Sequence, residues 1–168
     1  MKQTALPLSL LLLSTAGATA TPIKSLITGS GGQMTLSADT FVVSKRTTAG
    51  TYLLLGIGQA ASSNGRVRSL NVLALREYLT PPEQDLFSKN VLRVALTCFN
   101  LLPARAPAIS AWLKVQNAST FRTMSSQFGP MTLTFRRDLT DSGQFYTSAF
   151  MTRTGQPGVA PWGNYCTQ

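Results

Sequence analysis

The chain has 168 residues, with 15 Lys and Arg against 6 Asp and Glu, a formal net charge of +9 and no His. Without an imidazole, the Ser-His-Asp and Cys-His nucleophilic arrangements and the common zinc sites are excluded. The positive balance attracts polyanions such as nucleic acid, anionic lipid or acidic envelope polymers.

Residues 1–20, MKQTALPLSLLLLSTAGATA, have the three parts of a secretory signal peptide. Lys2 is the positive start, Leu6 to Leu13 the apolar core, and Ala18-Thr19-Ala20 the small-x-small cleavage pattern. The core is much shorter than the roughly 20 residues needed to span a bilayer. No later stretch is long and apolar enough to be a transmembrane segment, so the expected product is periplasmic or secreted. Losing Lys2 with the leader leaves a net charge near +8. The bases run from Lys24 to Arg153, with only Lys45-Arg46 and Arg136-Arg137 adjacent. That dispersal suits a solvated basic surface better than a concentrated nucleic-acid stripe.

Residues 21–32 read as a flexible lead, and 33–168 as a single domain. Within the lead, LITGSGGQM resembles the turn that cradles a pyrophosphate. The third glycine of that spacing would fall on Thr35, and MTLSADTFVV reads as strand where a helix is required. No dinucleotide is expected, nor any other cofactor or metal. Met34 to Arg46 reads as two extended pieces around Ser37-Ala38-Asp39, followed by a turn at Thr47 to Gly50.

Asn64-Gly65 is a two-residue hairpin signal, because both central positions need positive φ. The turn pairs Ser63 with Arg66, Gln59 with Leu70, Ile57 with Val72 and Leu55 with Ala74. Leu53, Leu55 and Ile57 then share a face with Leu70, Val72 and Ala74. On the other face Gly56 and Gly58 oppose Leu73 and Asn71, leaving a shallow trough that is a candidate ligand groove.

Thr80-Pro81-Pro82-Glu83 is a capping box with Pro at the first helical position. The stripe Phe87, Val91, Val94, Cys98, Leu102 predicts a helix running to Pro103. A second helix is predicted from Ala106-Pro107, with Ile109, Trp112, Leu113 and Gln116 inward. Trp112 is a candidate stacking platform as well as a core aromatic. Asn117-Ala118-Ser119 fits the N-glycosylation pattern. Residues 119 to 128 end in an extended stretch, and Gly129-Pro130 opens a hairpin. Met131, Leu133 and Phe135 alternate with Thr132, Thr134 and Arg136, and Gln144 to Arg153 returns after a turn at Asp138 to Gly143. In an oxidising compartment, Cys98 and Cys166 are expected to form a disulfide that holds the Gly- and Pro-rich tail.

The order of elements predicts an α+β fold. A mainly antiparallel sheet of about 5–7 strands carries two helices inserted mid-chain and packed on one face. No catalytic constellation stands out. The leading expectation is an exported non-enzymatic domain binding an envelope component, a partner protein or a small apolar ligand. A second reading is a basic surface that attaches to an anionic polymer, glycan or nucleic acid. The reading from another class is a hydrolase using Ser or carboxylate chemistry.

Overall fold

Chain reversals at turn-forming residues generate most of the sheet. The protein is described from a computed structural model covering residues 17–28, 33–37, 40–46 and 52–168. For 27–28, 34–37, 40–41, 52–57 and 59–63 the backbone alone is described. The strands are β1 (Ala20–Pro22), β2 (Gln33–Ser37), β3 (Thr40–Arg46), β4 (Tyr52–Ser63), β5 (Arg66–Ala74), β6 (Thr123–Phe128), β7 (Met131–Leu139), β8 (Phe145–Arg153) and β9 (Tyr165–Thr167). The helices are α1 (Ile23–Thr28), α2 (Pro81–Cys98) and α3 (Ala106–Ala118).

Consecutive antiparallel hairpins make two halves, β2-β3-β4-β5 and β6-β7-β8. They join where β5 pairs with β8, giving the order β2-β3-β4-β5-β8-β7-β6. The α2–α3 excursion makes that long connection, so the fold is α+β as the sequence predicts. Asn64 and Gly65 both have positive φ, 52° and 72°. The hairpin they close has the expected pairs Ser63–Arg66, Gln59–Leu70 and Ile57–Val72, with one irregularity at Ala61. The side chains of Leu53, Leu55 and Ile57, and the turns at 38–39 and 47–50, lie outside the described residues.

One core fills the space between the sheet and the helices. Leu70, Val72, Ala74, Leu133, Phe135, Ala149 and Met151 supply the strand side, and Phe87, Val91, Val94, Ile109 and Leu113 the helix side. Thr80 N–H donates to Glu83 Oε2 at 2.8 Å, the return bond of the capping box. Glu83 also pairs with Arg76 at 2.7 Å.

Three segments differ from the sequence reading. Residues 21–28, expected as flexible lead, form the end of β1 and all of α1. Ile23 enters the core, and β1 lies parallel to β9. Gly29 to Gly32 of the glycine cluster lie outside the described residues. The helix opened by the Thr80–Glu83 capping box was expected to reach Pro103, yet α2 ends at Cys98. Asn100 there takes a left-handed φ of 50°, the conformation that closes helix C-termini, and Leu102 is left exposed. The tail is less irregular than its Gly and Pro content suggests, because Tyr165–Thr167 adds the strand β9.

Both long helices end on a buried arginine. Arg137, on the core face of β7, donates to the carbonyls of Gln116 (2.8 Å), Asn117 (2.7 Å), Ser119 (2.7 Å), Phe121 (3.2 Å) and Glu77 (2.8 Å). Tyr78 covers the guanidinium at 4.3 Å. Burial pushes its pKa down, opposed by the charges of Tyr78 and Glu77. Arg153 of β8 serves α2, donating to the carbonyls of Phe99, Asn100 and Pro161. Trp162 lies against it and donates from its indole N–H to the Cys98 carbonyl at 2.9 Å. A cation beside the carbonyl end of a helix also opposes the helix dipole favourably. Two of the chain's cations are therefore internal fittings rather than surface charge.

Cys98 and Cys166 form the expected disulfide, with Cα atoms 4.6 Å apart across a sequence separation of 68. No helix among the described residues is long and apolar enough to cross a membrane. Asn117 of the glycosylation tripeptide is already engaged, accepting from Leu79 N–H at 3.0 Å and donating to Leu79 C=O at 2.9 Å. Replacing it by Ala removes both bonds, and a loss of about 1–2 kcal/mol is expected in urea titration. An unchanged midpoint would refute that role.

Candidate functional site

Alternation along the strands sends one set of side chains into the core and the other to the opposite face. Among the described residues, no helix covers that second face. On it Asn71 (β5), Phe150 (β8) and Thr134 (β7) form one cross-strand row. Leu73, Ser148, Arg136 and Thr123 form the next, and Tyr146 beside Asp138 the third. The rows enclose a cleft of about 560 Å³, lined by Asn71, Thr134, Ser148, Phe150, Tyr146, Asp138, Arg136, Arg137, Arg122 and Thr123. Its volume lies within the range of small-molecule sites.

The cleft is unevenly satisfied. Arg136 pairs with Asp138, which also accepts from Leu139 N–H at 2.9 Å. The Leu139 N–H and then Arg136 hold the Asp138 carboxyl below its ordinary range, so it stays ionised at neutral pH. Thr134 exchanges a hydroxyl hydrogen bond with Ser125 at 2.8 Å. Two groups remain without such partners. The Arg122 side chain makes no hydrogen bond or ion pair with any described residue. The Asn71 Oδ1 is shut off from solvent with no donor. Leaving a buried acceptor unsatisfied costs about 1–3 kcal/mol, and a rotation of the Asn71 amide toward the cleft would open this one to a guest's hydroxyl or N–H.

The sequence-derived groove residues do not all meet. Gly58 lies opposite Asn71 and Gly56 opposite Leu73 on β4, but neither is among the residues lining the cleft. Trp112 is on the other side of the sheet. It stands edge-on to Phe128 and Phe135, at centroid distances of 5.9 and 6.5 Å, and packs against the core. The trough and the tryptophan therefore cannot share a ligand. The tail loop Gln156 to Trp162 is anchored through buried Trp162 and through Arg66, which donates to the Pro157 carbonyl at 2.6 Å.

Arg122, Arg136, Tyr146 and Phe150 were not singled out from sequence, although a signal existed. The alternation recognised in Met131 to Arg136 places Arg136 on the face away from the core. Pairing β8 with β5 brings Phe150 beside Asn71, and that long-range pairing has no local marker.

For acid–base chemistry the cleft holds a single carboxylate, already committed to Arg136. No second Asp or Glu and no Lys lines it, and no His/Cys/Asp/Glu cluster suited to a metal occurs among the described residues. Comparison of the chain with protein-family models, curated proteins and solved structures gives no match.

Proposed function

We propose that the protein is an exported, non-enzymatic binding domain whose site is the cleft on the helix-free face of the sheet. The carrying observation is one cavity that holds both the Arg122 guanidinium, which makes no hydrogen bond with any described residue, and the unsatisfied Asn71 acceptor. Phe150 and Tyr146 supply ring surfaces, and Ser148 and Thr134 supply hydroxyls. The favoured guest is a small organic anion with a ring or other flat body and at least one hydroxyl or N–H. Export is supported by the leader-like residues 1–20 and by the single long-range disulfide.

Calorimetric titration with 4-hydroxybenzoate and with glucuronate, against benzyl alcohol and glucose as neutral partners, tests this reading. At least one anion is expected to bind more tightly than its neutral partner. Arg122→Gln should weaken that binding by roughly tenfold, the scale of one charge-assisted hydrogen bond. Equal affinity for charged and neutral probes, or indifference to Arg122→Gln, would remove the anion from the proposal.

The anionic-polymer reading keeps one specific support. Arg122 is exposed at the cleft rim, where a chain-like ligand could run onward over the open face. Polymer attachment predicts retention on a polyanion column that disappears at modest salt. No retention at low salt would eliminate it.

A further inference from the structure

We infer that two copies of this chain associate through the β6 edge, continuing the sheet across a two-fold axis with α3 packed against its counterpart. Among the described residues, β6 is the outermost strand on its side and pairs only with β7. Its sequence, TMSSQF, contains no charge, Pro or Gly. Those are the residues by which sheet edges usually discourage pairing with another chain.

In the β6–β7 hairpin, Phe128 faces Met131 next to the turn, so the backbone groups of Met124, Ser126 and Phe128 point to β7. Those of Thr123, Ser125 and Gln127 point outward. Antiparallel pairing about Ser125 sets it opposite the partner's Ser125 and sets Thr123 opposite the partner's Gln127. No like charges are brought face to face.

α3 supplies the second half of the contact. Ala108, Ala111, Val115 and Ala118 recur at steps of three and four residues, and every one is exposed. Val115 is 62% accessible and is the largest side chain of the stripe. The other flank of α3 is occupied by Asn117 bonding to Leu79, so this stripe points away from α2. Trp112 spans Phe128 of β6 and Phe135 of β7, which places α3 above those two strands.

With strands about 4.8 Å apart, a helix seated between β6 and β7 stands about 10 Å from its two-fold mate. Packed helices have axes 8–10 Å apart, and small side chains favour that approach. Met124 and Phe121, exposed beside the edge, would fill the seam. The β6 edge and the α3 stripe thus meet a second copy at one spacing. The same pairing brings the partner's Gln127 beside Thr123 at the cleft rim, so the two clefts lie on one continuous face.

The test is sedimentation of the disulfide-intact protein from low micromolar to submillimolar concentration, with no ligand added. Twice the monomer mass is expected. Ser125→Pro removes one outward N–H and the hydroxyl bonded to Thr134 while leaving the backbone ladder to β7 in place, and Ala111→Glu places a charge on the helical stripe. Both variants are expected to sediment as monomers with unchanged circular dichroism. Should Ser125→Pro not fold, Ala111→Glu decides alone, since its side chain is exposed. A wild type that stays monomeric throughout overturns the inference, as does a dimer that survives either folded variant. The readout is independent of ligand, so its failure leaves the cleft proposal standing.

Discussion

Arg137→Met is expected to lower the unfolding free energy by about 4 kcal/mol, among the largest losses a single substitution causes. The guanidinium serves the carbonyls of Glu77, Gln116, Asn117, Ser119 and Phe121. Methionine fills a comparable volume and donates nothing, so those acceptors must find water or stay unpaired, at about 1–3 kcal/mol for each one left buried. Some relief comes from no longer burying a cation, which keeps the expected total well below the simple sum. Arg137→Lys separates charge from geometry. An ammonium carries three donors at one point, whereas the guanidinium spreads five over a rigid fork. Lysine is therefore expected to recover less than half of the loss. Urea titration of the three proteins measures this directly, and a Met variant within about 1 kcal/mol of wild type would refute the capping role.

The second large effect belongs to the disulfide. Replacing Cys98 and Cys166 together by Ala is expected to cost about 4 kcal/mol, the chain-entropy value for a closed loop of this length. The bond lies beside other attachments at the same helix end. Trp162 donates to the Cys98 carbonyl, and Asn100 Nδ2 donates to the Pro161 carbonyl at 3.1 Å. Those contacts hold the tail in place once folded, so the variant should keep its circular dichroism spectrum. Backbone amides of Tyr165–Thr167 should nevertheless exchange faster than in the oxidised protein. An unaltered unfolding midpoint after reduction would show that the tail needs no covalent tie.

How far the sequence reached depends on the range of each interaction. Asn64-Gly65 fixed its hairpin because turn chemistry and hydrophobic alternation agree within a dozen residues. Thr80 to Glu83 announced α2 through a motif of four residues. The expected disulfide followed from counting two cysteines in a chain with a leader-like start. What escaped depends on distant partners. α1 exists because Ile23 finds a core made by later elements, and the end of α2 is set by Asn100 together with Arg153 and the tail. The cleft arises only when β5 and β8 are side by side. Arg137 and Arg153 are an intermediate case. Alternation carried two residues past Phe135 and past Met151 puts each on the core face, but the usual expectation that arginine stays wet hides the signal.

β1 has a timing consequence. Among the described residues its only strand partner is β9, through Ala20–Tyr165, Thr21–Cys166 and Pro22–Thr167. A polypeptide is synthesised from its amino end, so β1 leaves the ribosome long before its partner β9. Until then Cys98 also lacks its disulfide partner, and α2 lacks the indole that meets its final turn. A nascent chain halted before Trp162 would therefore retain an open seam.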